Sequence, residues 1–281
     1  MEMDSTETSV PVCYRHPDRV TGLACSRCEK SICVECSNDA AVGQLCPDCA
    51  AQTDRHQVVR ARTLYQRPSF QTAPVSFTIL AVTVGIYVIG FVSPVAGDWL
   101  FLTFAQFNVL IDAGEWWRIF TPILLHGSLL HIGFNMYLLY MLGPRLEQQV
   151  GSPAFGALYL ATAGAGGLAS YLSGSPIPSI GASGAIFGLI GAWLFAYWKL
   201  RDAGGRAMFN QLFVLVAINV VFGFVVPGID WRAHFGGLAA GVFIAWMWSL
   251  FAAGKPNAVA IRTAIATGVI AFDLAAILLL T

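Results

Sequence analysis

The sequence predicts an all-α polytopic membrane protein preceded by a small metal-binding domain. Three observations carry this. Of 281 residues, 56% are hydrophobic and only 11% are charged, against roughly 25% charged in soluble domains. Apolar runs of about 20 residues, the length that crosses a bilayer, recur from Val75 to the C-terminus. All seven cysteines fall within residues 1–67, where long apolar runs are few. The expected division is residues 1–54 for the metal domain, 55–74 for a basic linker and 75–281 for the membrane domain. The net charge of zero excludes little, because charges partition between the two sides of a membrane.

Residues 1–12 are polar and acidic, without the basic and apolar regions of a signal peptide. The N-terminal domain is therefore expected to stay in the cytosol. It contains four ligand pairs: Cys13 with His16, Cys25 with Cys28, Cys33 with Cys36, and Cys46 with Cys49. A two-residue gap lets both side chains of a pair reach one metal. Thiolate and imidazole in tetrads are the zinc preference. The gap between the second and third pairs is too short for sequential tetrads. A cross-brace is expected: Cys13, His16, Cys33 and Cys36 on one zinc, and Cys25, Cys28, Cys46 and Cys49 on the other. An odd cysteine count, the spacing and a cytosolic setting argue against a disulfide framework. Complete tetrads leave no open position, so both ions are expected to be structural and to provide the folding energy of a domain with little core. The pattern resembles a B-box-type zinc finger over about residues 11–52. His56 falls outside the spacing and reads as solvated.

The linker carries Arg55, Arg60, Arg62 and Arg67 and closes with Pro68 and Pro74. Cations just before a first span suit a cytosolic N-terminus; no nucleic-acid partner is expected. The spans are predicted at about Val75–Phe91, Thr121–Leu142, Ala154–Leu172, Ala182–Leu200, Phe209–Val226, Trp231–Phe251 and Ala258–Leu280, with a long loop over residues 94–120. With the N-terminus inside, Arg145, Lys199, Arg201, Arg206, Lys255 and Arg262 join the linker cations on the cytosolic side. Only Arg118 and Arg232 lie outside, so the positive-inside rule selects this topology. The predicted location is the cell membrane, multi-pass, with the bilayer as surroundings.

On that topology Ser183 and His234 sit near the outer ends of their helices. A serine hydroxyl attacks only when a base takes its proton, and histidine is the usual base. The broken segment 173–180 suits a water-lined site, because irregular backbone at membrane depth must line a cavity. Gly184 and Gly188, and Gly237 and Gly241, form small-residue faces that allow close helix approach. His131 and Asn135 share one helix face and offer N–H donors to a developing oxyanion, with the Ser183 backbone N–H as another. For His126 a structural role is favoured. Asp273 in the last span is expected to face protein or water.

These motifs resemble the rhomboid family of intramembrane serine proteases. Gly181-Ala182-Ser183-Gly184 matches its nucleophile motif. Ala233-His234-Phe235-Gly236-Gly237 resembles its histidine motif, with Phe235 where leucine is more usual. His131 and Asn135 match its second-span pair, Glu115-Trp116-Trp117-Arg118 resembles its first-loop element, and Leu146-Glu147 with Gly151 resembles its turn after the second span. The resemblance implies a rhomboid-like six-helix core plus one C-terminal transmembrane helix. It also implies a Ser183–His234 dyad with no acidic member and no catalytic cofactor, and transmembrane protein substrates that enter sideways past the fifth span. Competing readings are a catalytically inactive relative that binds membrane clients and a transporter. The position of the zinc domain suggests a cytosolic protein partner.

Overall fold

The computed structural model describes residues 11–39, 43–51, 68–200, 202–226 and 228–281. Residues 1–10, where no leader is expected, and Arg55, His56, Arg60, Arg62, Arg67 and Arg201 lie outside the described residues. The chain divides into two compact units, residues 1–66 and 67–281.

The first unit pairs β1 (Val12–Cys13) antiparallel with β2 (His16–Val20), and β3 (Asn38–Asp39) with β4 (Gln44–Leu45). A 3₁₀ turn at Val34–Cys36 and helix α1 (Pro47–Ala51) complete it. Its buried core is Ile32 surrounded by six of the seven cysteines. A core built from thiols is what a domain too small for a hydrophobic interior requires.

Among its described residues the second unit contains seven long helices. They are α2 (Pro74–Val92), α5 (Leu129–Val150), α6 (Ser152–Leu172), α7 (Ser183–Lys199), α8 (Ala203–Val225), α9 (Trp231–Phe251) and α10 (Ala258–Leu280). Between α2 and α5 lie α3 (Pro94–Phe104), α4 (Asn108–Asp112) and 3₁₀ turns at Trp116–Ile119 and Thr121–Leu124. The protein is a mostly helical, multi-pass membrane protein, all-α in this second unit. By length and composition alone, α2, α8, α9 and α10 can cross a membrane.

Three boundaries differ from expectation, each for a local reason. The second span starts at Leu129, not Thr121. Pro122 falls in a 3₁₀ turn, and the Ser128 hydroxyl accepts the His131 N–H at 3.2 Å as the true N-cap. It then runs through Pro144 to Val150 and ends at Gly151, whose φ of +92° suits glycine. Residues 94–120 are not one open loop, because Ser93 caps α3 and Pro94 occupies its first turn. The fifth span starts at Ala203, since Asp202 accepts the Gly205 N–H at 2.6 Å.

Helix α7 is the centre of the bundle. Ten consecutive residues, Gly184 to Trp193, are buried. Its 17 residues span about 26 Å at 1.5 Å per residue, short of a hydrocarbon core of about 30 Å. It packs on α6 and α9 through glycines. A Cβ at Gly237 would fall on the Gly184 carbonyl, one at Gly241 on the Gly188 carbonyl, and one at Gly191 on the Leu238 carbonyl. Asp273 of α10 is buried, as expected, with Oδ2 placed 2.8 Å from where a Gly164 Cβ would lie.

Two buried charges tie the irregular segments down. The Arg118 guanidinium donates to the Ala105 and Leu102 carbonyls at 2.6 and 2.8 Å and to the Glu115 carboxylate at 2.6 Å. The Glu147 carboxylate accepts from the Val75 and Ser76 N–H groups at the start of α2, at 2.9 and 2.7 Å. It also accepts from the Ser76 and Ser152 hydroxyls, both at 2.7 Å. Negative charge at a helix N-terminus is favourable. Glu147→Ala orphans these donors, and each buried hydrogen bond to a charge is worth about 1.5–3 kcal/mol. The expected result is a clearly lower thermal unfolding midpoint in detergent, with Ser152→Ala falling far less. Equal midpoints for wild type and Glu147→Ala would refute this account.

Candidate functional site

Ser183 is the first residue of α7, and His234 lies in the first turn of α9. The glycine contacts bring these helices close enough for two short side chains to meet. His234 Nε2 and Ser183 Oγ are 2.7 Å apart. In the neutral tautomer protonated at Nδ1, the hydroxyl donates to Nε2. The imidazole is buried and lies flat on the Phe187 ring, with centroids 4.3 Å apart and planes 7° from parallel. Phe187 stands four residues after Ser183, on the same helix face.

Among the described residues, no carboxylate hydrogen-bonds the His234 ring. Asp230 caps α9 instead. Its Oδ1 accepts the Ala233 N–H at 3.1 Å and its Oδ2 accepts the Ser170 hydroxyl.

The segment before Ser183 is held by backbone pairing. Gln106 and Ser179 exchange N–H to O bonds at 3.0 and 3.1 Å, and the Gly181 N–H donates to the Pro122 carbonyl at 2.9 Å. Gly181 has φ +125°, which a side chain would strain. A Cβ there would also lie 2.7 Å from His131 Nε2 and 3.7 Å from Ser183 Oγ. The His131 ring is thus beside the serine. Its Nδ1 accepts the Gly127 N–H at 3.4 Å, which assigns the proton to Nε2, on the Gly181 side. Asn135 is buried one turn further along α5 and donates to the His131 carbonyl at 2.9 Å. The first N–H groups of α7, including that of Ser183, have no acceptor within the helix.

Sequence reasoning favoured a structural role for His126 and passed over two other neighbours of this pair, Phe187 and Gln106. His126 Nε2 accepts the Ala182 N–H at 3.4 Å, and its ring packs edge-on to His131 at 4.9 Å. Phe187 was detectable from its four-residue offset. Gln106, whose amide donates to the Gly167 carbonyl at 2.9 Å, had no sequence signal.

In the first unit, two groups of side chains converge. Cys13, His16, Cys33 and Cys36 form one, and Cys25, Cys28, Cys46 and Cys49 the other, with ligand atoms within 4.8 Å of one another in each. This is the cross-braced partition. Cys33 Sγ and Cys36 Sγ each lie 3.4 Å from His16 Nδ1, Cys13 Sγ lies 3.8 Å from it, and Cys28 Sγ lies 3.7 Å from Cys46 Sγ. A tetrahedron of thiolates about 2.3 Å from its centre has edges of about 3.8 Å, so both groups fit a four-coordinate metal ion. The cysteines form no disulfide. Burial pushes the Cys13 thiol up, but backbone N–H groups of Cys33 and Arg15 and the His16 ring outweigh this and bring it to about 6. Thiolate character of this kind suits a metal ligand.

The chain matches a family model described as Rhomboid domain over residues 113–251. It is 43% identical over 150 residues to the Rhomboid protease GluP of Bacillus subtilis (strain 168), covering 53% of this chain and 29% of that protein. RHOMBOID-like protein 5 of Arabidopsis thaliana is 40% identical over 143 residues, covering 49% of this chain and 46% of that protein. The Putative rhomboid protease YdcA of Bacillus subtilis (strain 168) is 33% identical over 147 residues, covering 52% of this chain and 73% of that protein. The chain therefore spans less than half the length of the first two.

Metal analysis of the purified full chain is expected to return about two equivalents per chain, one for each tetrad. Cys36→Ser should lower this to about one. A wild-type ratio near zero would reject both centres.

Proposed function

The chain belongs to the rhomboid family, and from that premise we propose that it is an intramembrane serine endopeptidase. It would cut peptide bonds in or near transmembrane segments of other membrane proteins. The observation that carries this reading is the 2.7 Å contact between Ser183 Oγ and His234 Nε2 at the helix ends.

The proposed roles use this geometry. His234 Nε2 takes the Ser183 proton as Oγ attacks the scissile carbonyl carbon. The tetrahedral oxyanion is met by the Ser183 backbone N–H, by His131 Nε2–H and by the Asn135 amide N–H left over from the His131 carbonyl. On collapse His234 gives its proton to the leaving amine and an acyl ester stays on Ser183. His234 then draws a proton from water as the water attacks the ester, and returns that proton to Ser183 Oγ as the second product leaves. No metal or organic cofactor takes part.

The two tetrads are assigned structural zinc, which favours closed sites of cysteine and histidine. The N-terminal domain is assigned to the cytosol, with residues 1–54 as the zinc module, 55–74 as the linker and 75–281 as the protease domain. The helix order supports this, since Arg145, Lys199, Arg206, Lys255 and Arg262 share the bundle end opposite Ser183 and His234. The competing reading, a client-binding protein without hydrolysis, leaves the Ser–His contact without a purpose.

A fluorophosphonate probe is expected to label the reconstituted full chain at Ser183. Labelling should vanish in Ser183→Ala, fall to background in His234→Ala, and persist in His131→Ala. That last variant should cleave a transmembrane substrate about 10²- to 10³-fold more slowly, as for loss of one oxyanion donor. Labelling that survives Ser183→Ala would overturn the proposal.

A further inference from the structure

Helix α8 is loosely held. Of its 23 residues only Gly205, Leu212 and Gly223 are buried. From Leu212 to Val225 it is apolar except for one residue, Asn219. That residue does not face lipid alone. It lines a narrow gap of about 10 Å³ between α7, α8 and α9, together with Phe187, Val216, Trp231, His234 and Leu238, which a peptide unit can enter only if the loosely held α8 moves outward. The cleft thus has the proposed base and its stacking partner on one wall and a lone amide on another. One Asn219 N–H donates to the Leu215 carbonyl of its own helix at 2.8 Å. Its Oδ1 and its second N–H have no partner among the described residues.

The other polar groups in this lining are His234 and the Trp231 indole, and neither bonds the Asn219 amide among the described residues. A segment to be cut there must first unwind, because a helical peptide bond is shielded by its own turn. Unwinding exposes peptide N–H and C=O groups against a largely apolar wall, where each of them needs a polar partner. Asparagine offers a donor and an acceptor together, which is the complement of one exposed peptide unit. We propose that Asn219 is a substrate-positioning residue whose free amide atoms pair with the unwound backbone of a transmembrane substrate beside His234. The substrate class rests on the protease reading above; the amide's role in holding an unwound segment rests on the cleft.

The test uses the reconstituted full chain and a synthetic transmembrane peptide of about 25 residues, with glycines near one end and a photoreactive group. In a Ser183→Ala background, adding Asn219→Leu should raise the half-saturating peptide concentration for crosslinking about fivefold to tenfold, the worth of one or two neutral hydrogen bonds. Asn219→Gln should restore most of the affinity. In the active chain, Asn219→Leu should raise KM by a similar factor and leave the rate of fluorophosphonate labelling unchanged. Unchanged crosslinking in the Leu variant overturns the inference. So does a loss of probe labelling as large as the loss of peptide cleavage, which would mark Asn219 as structural. If the wild-type chain neither labels nor cleaves, the hydrolytic reading falls, and the crosslinking arm still decides whether Asn219 holds the peptide.

Discussion

The arrangement depends on how closely two helix backbones can approach inside a membrane. Serine and histidine are short side chains, and a 2.7 Å contact between them demands that α7 and α9 nearly touch. Side chains at Gly191, Gly237 or Gly241 would prevent this, since the opposing carbonyls occupy the space a Cβ needs there. Each glycine costs a helix about 1 kcal/mol relative to alanine. In lipid there is no hydrophobic drive to push helices together, so packing must offset that cost. The same logic extends to α6, where a Cβ at Gly166 would meet the Ala233 carbonyl at 2.9 Å.

Close packing alone would leave the strand before α7 without partners. Backbone groups at membrane depth must be satisfied within the protein. The first loop supplies them through the Gln106–Ser179 exchange and the Pro122 carbonyl. That loop is in turn pinned by Arg118, 3% exposed, whose guanidinium reaches two carbonyls and Glu115. A buried guanidinium is tolerated only when its donors are occupied and a counter-charge is present. The position of Ser183 is therefore set from two directions: by glycine packing below and by a polar tether above.

Much of this was legible in the sequence. Seven long helices follow from hydropathy, and the partition of eight metal-ligand side chains into two tetrads follows from the short gap between Cys28 and Cys33. Ser183 and His234 could be paired because each opens an apolar run on the same side of the topology. Helix boundaries were less legible where a cap competes with hydropathy, as at Ser128, Ser93 and Asp202. Contacts between elements were not legible at all: nothing local marks Gln106 as the partner of Ser179. Asn219 was visible as a polar residue in an apolar run, but its cleft exists only once α7, α8 and α9 are assembled.

The proposed dyad has no carboxylate bonded to it, which raises the question of what orients the proposed base. A third, acidic member would bring a charge into an apolar bundle, where desolvation is expensive unless every lone pair is met. Here Asp230 is the nearest candidate in sequence, and its oxygens are already taken by the Ala233 N–H and the Ser170 hydroxyl. Those bonds fix the first turn of α9, and so the Cα of His234. The Phe187 ring, 7° from parallel, then restricts rotation of the imidazole about its side-chain bonds. Orientation thus comes from a capped helix turn and a stacked neutral ring. The carboxylate acts on the backbone that carries the histidine, and the ring's own hydrogen bond is to Ser183.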